Sequence, residues 1–489
     1  MAKSKVSTNF IYQITYQILI IISPLITVPY IARVLGPDNN GIYTYTYTVV
    51  NYFAVFAALG IEAYGNRLIA QAKANDRDTL NRSFSSLFLL HFIVAGVVAV
   101  LYVVYVLFLV QENMAIASIQ GLWVVGSLVD INWFFFGMEE FKLSVTRNFV
   151  IKLLSILAVF IFVRSKDHLW IYTLILSSAQ LLSHLYLWKY LKSNVSFVKV
   201  TFKEILAHFK PLCFLFFAVI ATTIYRMIDK IMVGRLCNMA ELASYEYADR
   251  MIRLLLTVIT SLGTVMLPRM STLYAEGNDK QAAKYMRSTS QLMFIMSSAL
   301  AFGLASIADD FMPVMLGEGY DSSILLTKIL CITLPIMGWN NLIRTQILMP
   351  KEKDRVYVIA VWAGAIINIL LNYILIKMIG ASGAAIATVV SYCVVGLFQT
   401  LPLLTEFPIK YYIGRSFFPL ICGAVMYIIV QLVRLVLPTI TLRLILSVFI
   451  GAVVYTILTY VLLKKTNSEA FDEVIGILRR VFSRAVRRS

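Results

Sequence analysis

Charge is scarce in this sequence. Only 14% of its 489 residues are Asp, Glu, Lys or Arg, whereas 60% are hydrophobic, and mean hydropathy is +0.79. Soluble domains carry roughly a quarter charged residues, so the shortage points away from them and toward a bilayer. Histidine is scarcer still. His91, His168, His184 and His208 are the four present, and none stands at the helical spacing of a metal-ligating pair. The five cysteines, Cys213, Cys237, Cys331, Cys393 and Cys422, have neither C-x-x-C spacing nor a secreted disulfide framework, and read as small apolar fillers. The phosphate-cradling pattern G-x-x-x-x-G-K is missing, which argues against direct ATP hydrolysis. No cofactor or metal is therefore expected.

What is present is a succession of apolar runs, most of them close to the 20 or so residues that a helix needs to cross hydrocarbon. They fall at 10–32, 42–61, 84–110, 115–136, 149–163 and 169–188, then at 211–233, 242–266, 289–308, 324–349, 356–376 and 383–404, and finally at 417–437 and 442–463. The pattern predicts an all-α polytopic membrane protein of about fourteen helices. The first run follows Lys3 and Lys5 but is too long for a signal peptide and lacks a small-residue cleavage site, so it is expected to remain as the first helix.

An even helix count demands that positive charge alternate between loops. Most of the 43 Lys and Arg residues fall in the connections assigned to the inside, whereas Arg33, Arg164, Lys166, Arg235, Lys377, Arg434 and Arg443 lie outside or at helix ends. Both termini are thus expected in the cytoplasm. The +17 net charge mainly reflects this topology, and nucleic acid is not needed to explain it. The tail 468–486 alternates apolar residues with arginines at helical spacing, as an interfacial helix on an anionic leaflet would.

The sequence also repeats. At an offset of about 202 residues Arg33 falls on Arg235, Tyr43 on Tyr245 and Arg67 on Arg269, in the same order. Two pseudo-symmetric six-helix lobes, residues 1–200 and 201–404, are expected, followed by two C-terminal helices within 405–463 and a basic tail over 464–489. Such a repeat is parallel, and transporters of this kind generally hold substrate between lobes.

Charges within apolar spans are costly unless they pair or face water, so each one marks a cavity or a lock. Lys152, Arg226, Lys230, Arg250, Arg253, Lys328 and Arg344 qualify among the cations. Arg226, Lys230, Arg250, Arg253 and Arg344 are candidates for a cationic surface, because arginine offers paired donors to phosphate oxygens. Asp229, Glu246 and Asp249 are spaced to pair with them as salt-bridge or coupling groups, and Asp130 and Glu62 are the acids of the first lobe. The balance of four positive and three negative charges in the seventh and eighth helices also suits a structural network. Tyr43, Tyr45 and Tyr47 read as an interfacial belt more simply than as a sugar platform.

The stretch DINWFFFGMEEFKLSVTRN, Asp130 to Asn148, resembles the fourth-helix signature of Wzx-type polysaccharide flippases in the MOP exporter superfamily. ARVLGPDNNGIY, Ala32 to Tyr43, and IDKIMVG, Ile228 to Gly234, resemble the same family. The resemblance implies two six-helix lobes with two additional helices. It further implies transport of undecaprenyl-pyrophosphate-linked oligosaccharide from the inner to the outer leaflet of a bacterial cytoplasmic membrane, by alternating access, for capsule or O-antigen synthesis. Partners would be the lipid-linked substrate, membrane lipids and glycan polymerase machinery. The coupling ion, H+ or Na+, stays open. A multidrug or solute exporter of the same superfamily is the nearest alternative. A membrane glycosyltransferase or polymerase is disfavoured because the longest outer connection, 309–323, offers acids without a companion base, so no enzyme is expected.

Overall fold

In the bilayer every backbone polar group must be satisfied within the protein, which leaves helices as the natural form for these apolar runs. The computed structural model describes residues 2–465, with side chains from residue 22 onward apart from Phe141, Ala218, Arg415 and Ser416. Among the described residues there is no strand. The helices are α1 (Ala2–Ala58), α2 (Ile61–Lys73), α3 (Arg77–Phe108), α4 (Met114–Leu128), α5 (Asn132–Gly137), α6 (Phe141–Phe162), α7 (Leu169–Asn194), α8 (Phe202–Ala207) and α9 (Phe209–Leu236). They continue as α10 (Met239–Ala275), α11 (Asp279–Leu316), α12 (Ser322–Cys331), α13 (Thr333–Ile343), α14 (Asp354–Ile379), α15 (Ala381–Thr400), α16 (Ile409–Ile413), α17 (Phe418–Val436) and α18 (Ile440–Lys465). The basic tail read as an interfacial helix lies outside the described residues.

Eleven described segments are long and apolar enough to cross a membrane, or twelve when the bent pair Phe202–Phe217 and Val219–Leu236 is taken as one span. Two runs read as separate crossings are differently disposed. The first two merge into one segment because α1 continues through 36, where Gly36 alone leaves helical geometry, at φ 76° and ψ 172°. The sixth run is present as α7, but its Ser, Gln, His and Lys content keeps it out of the apolar set.

Gly36 is a corner rather than a flaw. A positive φ costs glycine little, and the carbonyls freed by the break are recovered locally. Asn40 donates its amide to the Gly36 and Ile31 carbonyls at 2.7 and 3.2 Å, and Asn39 donates to Leu35 and to Lys166 of the α6–α7 connection. Elsewhere helix starts are capped in the ordinary way. Asp76 accepts from the Thr79 amide ahead of α3, and the Thr79 hydroxyl together with this amide holds its carboxyl below the usual carboxylate range. Thr201 and Glu204 form a reciprocal capping box on α8.

The chain divides after Ala243 into two compact units. The repeat boundary near residue 200 and this packing boundary are different divisions of the chain. Helix α9, the seventh apolar run, packs on α1, α2 and α8 and belongs to the first unit. There His208, at its start, is held between the Tyr64 hydroxyl at 2.8 Å and the Ser86 hydroxyl at 2.9 Å.

In the first unit the core joins Phe84, Leu87 and Phe88 of α3 to Trp133, Phe134 and Phe135 of α5 and to Leu187 and Leu191 of α7. The outward face of α3, including Phe92, Ile93, Val97, Val100 and Leu107, stays exposed, as expected of a surface meant for lipid. In the second unit α17 and α18 lie along α11. Ser290 and Ser298 donate to the Tyr412 and Pro419 carbonyls, and Tyr455 of α18 donates to Ile295. The same face carries Cys422, Met426, Val430 and Tyr455 against Ile295, Ala299 and Phe302. The two C-terminal helices are thus keyed into the second unit along much of α11.

Candidate functional site

In the first unit the expected span 115–136 is broken at 129–131, between α4 and α5. A break frees carbonyls that the membrane cannot satisfy. Three ring N–H groups from three elements take them up. His91 Nε2 lies 2.7 Å from the Ser127 carbonyl, Trp188 donates to Val129 at 2.8 Å, and Trp133 donates to Asp130 at 3.1 Å.

Asp130 then organises the break. One of its oxygens, Oδ1, accepts the Asn132 backbone amide at 2.9 Å and the Asn132 side-chain amide at 2.8 Å, and meets His184 Nδ1 at 3.0 Å. The other end of the quoted signature folds back onto it. Arg147 is 5% exposed and donates to the Asn132 side-chain oxygen at 2.9 Å, to Asn148 Oδ1 and to the Ser183 carbonyl. Asp130 was expected as a coupling or salt-bridge group; its partner is His184, and an amide stands between it and Arg147. Glu62, the second acid expected in this lobe, is exposed on α2, within electrostatic reach of Asp130.

The two other quoted stretches meet as well. A methyl group on Gly41 of α1 would lie 1.9 Å from the Met239 carbonyl oxygen, so the chains pass too closely for any other residue. Arg235, just after IDKIMVG, donates to the Tyr45 hydroxyl at 2.5 Å and stacks on its ring. Tyr43 and Tyr47 stack on each other, and pack against Tyr172 and Trp123 respectively. These tyrosines therefore fill helix contacts within the unit.

The charged pattern read in the seventh helix lies on α9. Asp229 and Lys230 are both 4% exposed. Arg226 is exposed and has no hydrogen-bond or ion-pair partner among the described residues.

In the second unit the pairs predicted at four-residue spacing form on α10. Arg250 donates from Nη2 to Glu246 at 2.9 Å, and Arg253 pairs with Asp249 and reaches Glu246 at 3.3 Å. The arginine side chains keep 34% and 30% exposure, whereas Glu246 keeps 9% and Asp249 20%. Arg344 stacks on Tyr357 at 4.4 Å and opens a π-helical turn, Arg344–Leu348.

Asp309 and Asp310, read as part of an outer connection, are inside α11 instead. The helix runs on to Leu316 because these acids are neutralised in place. Arg434 of α17 reaches Asp310 at 2.6 Å and Asp309 at 2.7 Å, and Lys328 of α12 reaches Asp309 at 2.6 Å. Lys328 and Arg434 thus form a lock among three helices. Lys152 is exposed on α6. Among the described residues no group of three His, Cys, Asp or Glu side chains is disposed to hold a metal.

Sequence reasoning missed Arg147 and His184. Arg147 fell between two apolar runs and looked like a cytoplasmic loop cation, and a lone histidine in an apolar helix carries no motif.

Comparison with known proteins agrees with this architecture. The family described as polysaccharide biosynthesis protein matches residues 6–274, and the family described as MatE matches 215–374. A protein of Escherichia coli (strain K12) described as an O-antigen transporter is 23% identical over 398 residues, covering 80% of this chain and 95% of that protein. A protein of Haloferax volcanii described as a low-salt glycan biosynthesis flippase is 22% identical, over 60% of this chain and 61% of its own. Among solved structures, the lipid II flippase MurJ in an inward closed conformation superposes with a TM-score of 0.76 at 15% identity, covering 94% of this chain and all of that one. An inward-facing multidrug resistance MATE transporter of the MOP superfamily gives 0.59 at 14% identity, over 78% of this chain and 94% of its own. With the polysaccharide biosynthesis match spanning more than half its length, this chain is a member of the polysaccharide biosynthesis protein family.

Proposed function

We propose that this protein is a flippase that carries a lipid-linked oligosaccharide, with undecaprenyl pyrophosphate as the carrier, from the inner to the outer leaflet of a bacterial cytoplasmic membrane. The observation that carries the reading is the family match joined to relatives described as O-antigen transporter and glycan flippase, the first of them aligned over 95% of its length. Alternating access would expose the headgroup site first to one face and then to the other while the polyprenyl tail stays in lipid. Both termini would lie in the cytoplasm, following the positive-inside bias.

The chemistry supports an anionic headgroup. In the second unit Arg250 and Arg253 are paired on α10 with part of their side chains exposed, and in the first unit Arg226 is a cation on α9 that no described carboxylate neutralises. Guanidinium groups match phosphate oxygens in pairs. Asp229, Lys230, Glu246, Asp249 and Arg344 complete the candidate set in this reading, with Asp130 and Glu62 as coupling or salt-bridge groups.

The MatE match over 215–374 favours one second reading, export of a free solute. Depletion of the protein separates the two. The flippase reading expects lipid-linked oligosaccharide to build up on the cytoplasmic leaflet; a normal outward distribution, together with loss of export of a small cation, would establish the exporter.

A further inference from the structure

His184 is buried at 7% exposure yet stands at the centre of a polar assembly. With its Nδ1 proton donated to Asp130, its Nε2 lone pair accepts from Gln180 Nε2 at 2.9 Å. This ring therefore has one position still open to a proton. Asp130 keeps 29% side-chain exposure and His184 9%.

We propose that His184 is a proton-binding site of the first unit, and that its protonation tightens the break between α4 and α5. The step balances simply. A hydronium ion gives its proton to Nε2 and leaves as water, the imidazolium forms, and the Gln180 amide turns so that its oxygen accepts. The negative partner is already in place. The Oδ1 atom of Asp130 that faces His184 is the one that receives both Asn132 donors, so a stronger pull from the ring acts on the group that starts α5. Asn132 passes the effect to Arg147 at 2.9 Å and thence to Ser183, back on α7.

Charged and titratable neighbours come from each packed element: His91 on α3, which is coupled electrostatically to both Asp130 and His184, Glu62 on α2, and Arg147 on α6. His91 is committed to the Ser127 carbonyl through Nε2. Arg147 supplies a permanent cation bridged by Asn132. His184 alone faces the carboxylate directly.

The proton site stands on this geometry; its use in transport rests on the flippase reading. Full-length protein with 13C-labelled histidine rings in lipid nanodiscs tests the site, because the chain has four histidines and His184→Gln assigns the resonance by deletion. The resonance should respond when the sample is acidified. Amide protection at 127–132, corrected for intrinsic rates, should rise on acidification in the wild type and stay flat in His184→Gln. A resonance silent to acid or identical protection in the variant would overturn the site. In proteoliposomes, the pH profile of flipping should flatten in His184→Gln; an unchanged profile overturns the link to transport. If wild-type protein flips nothing at any pH, the flippase reading fails, and the titration still decides the proton site.

Discussion

Arg147 Nη2 donates to Asn132 Oδ1 at 2.9 Å, which closes the two ends of the DINW…TRN stretch on each other across α5 and the start of α6. A run that reads as the end of one crossing followed by a loop is in fact a single folded knot. Its hydrogen bonds are side chain to backbone or side chain to amide, the kind that fix a helix break within a low-dielectric medium.

Removing the knot's cation should be costly. Arg147→Ala removes a charged donor from the Asn132 and Asn148 oxygens and the Ser183 carbonyl, at about 1.5–3 kcal/mol for bonds to a charged group, although the Ser183 hydroxyl still reaches Asn148. Arg147→Lys keeps the charge but cannot reproduce the fork, so it should recover only part of the loss. Thermal unfolding of the detergent-solubilised protein measures both; equal stability of Arg147→Lys and wild type would show that charge alone matters.

The corner at the head of the chain makes a different demand. Gly41→Ala must push back the Met239 backbone, whereas Gly303→Ala on α11 meets nothing within 4 Å. The first should lose folded yield or lower the melting temperature by several degrees. The second should be neutral or gain up to about 1 kcal/mol from the helix preference of alanine.

Arg434 tests the lock on α17. Arg434→Leu leaves Asp310, whose side chain is 4% exposed, without its counter-charge, and should destabilise by about 3–5 kcal/mol. Adding Asp310→Asn should restore much of the stability, because the buried charge is gone while Asp309 keeps Lys328. A double variant worse than the single one would mean that the ion pairs themselves carry the packing.

Legibility followed physical scale. The long apolar runs exposed nearly every helix, since hydrophobic length is a signal that survives in composition. The corner at Gly36 falls in the gap between the first two apolar runs, where the sequence showed only a connection. The break at Asp130 was hidden because the apolar residues flanking it carry a smoothed window across one acid. Asp309 and Asp310 looked like loop because acids end apolar runs, and the arginine that neutralises them lies 124 residues further along the chain from Asp310. The i, i+4 pairs on α10 were readable because spacing alone sets them. His184 was not, for its partners come from other helices.

The candidate headgroup cations separate by role. Arg253→Gln should lower folded yield, because Asp249 loses this arginine and Glu246 is left with Arg250 alone of the pair. Arg226→Gln has no such debt and should leave yield intact while lowering transport roughly tenfold to a hundredfold, the equivalent of about 1.5–3 kcal/mol of charge-assisted contact. Arg226→Lys should retain part of the activity. Full transport by Arg226→Gln would remove this side chain from the substrate path.

Purified protein in proteoliposomes that carry a lipid-linked oligosaccharide is the most direct trial of the account, read as the fraction of glycan open to an external, membrane-impermeant oxidant. Glycan initially confined to the inner leaflet should become accessible at a rate that scales with protein and falls in Arg226→Gln. Glycan that stays protected with folded wild-type protein, across pH values and imposed ion gradients, would contradict the assignment as a flippase.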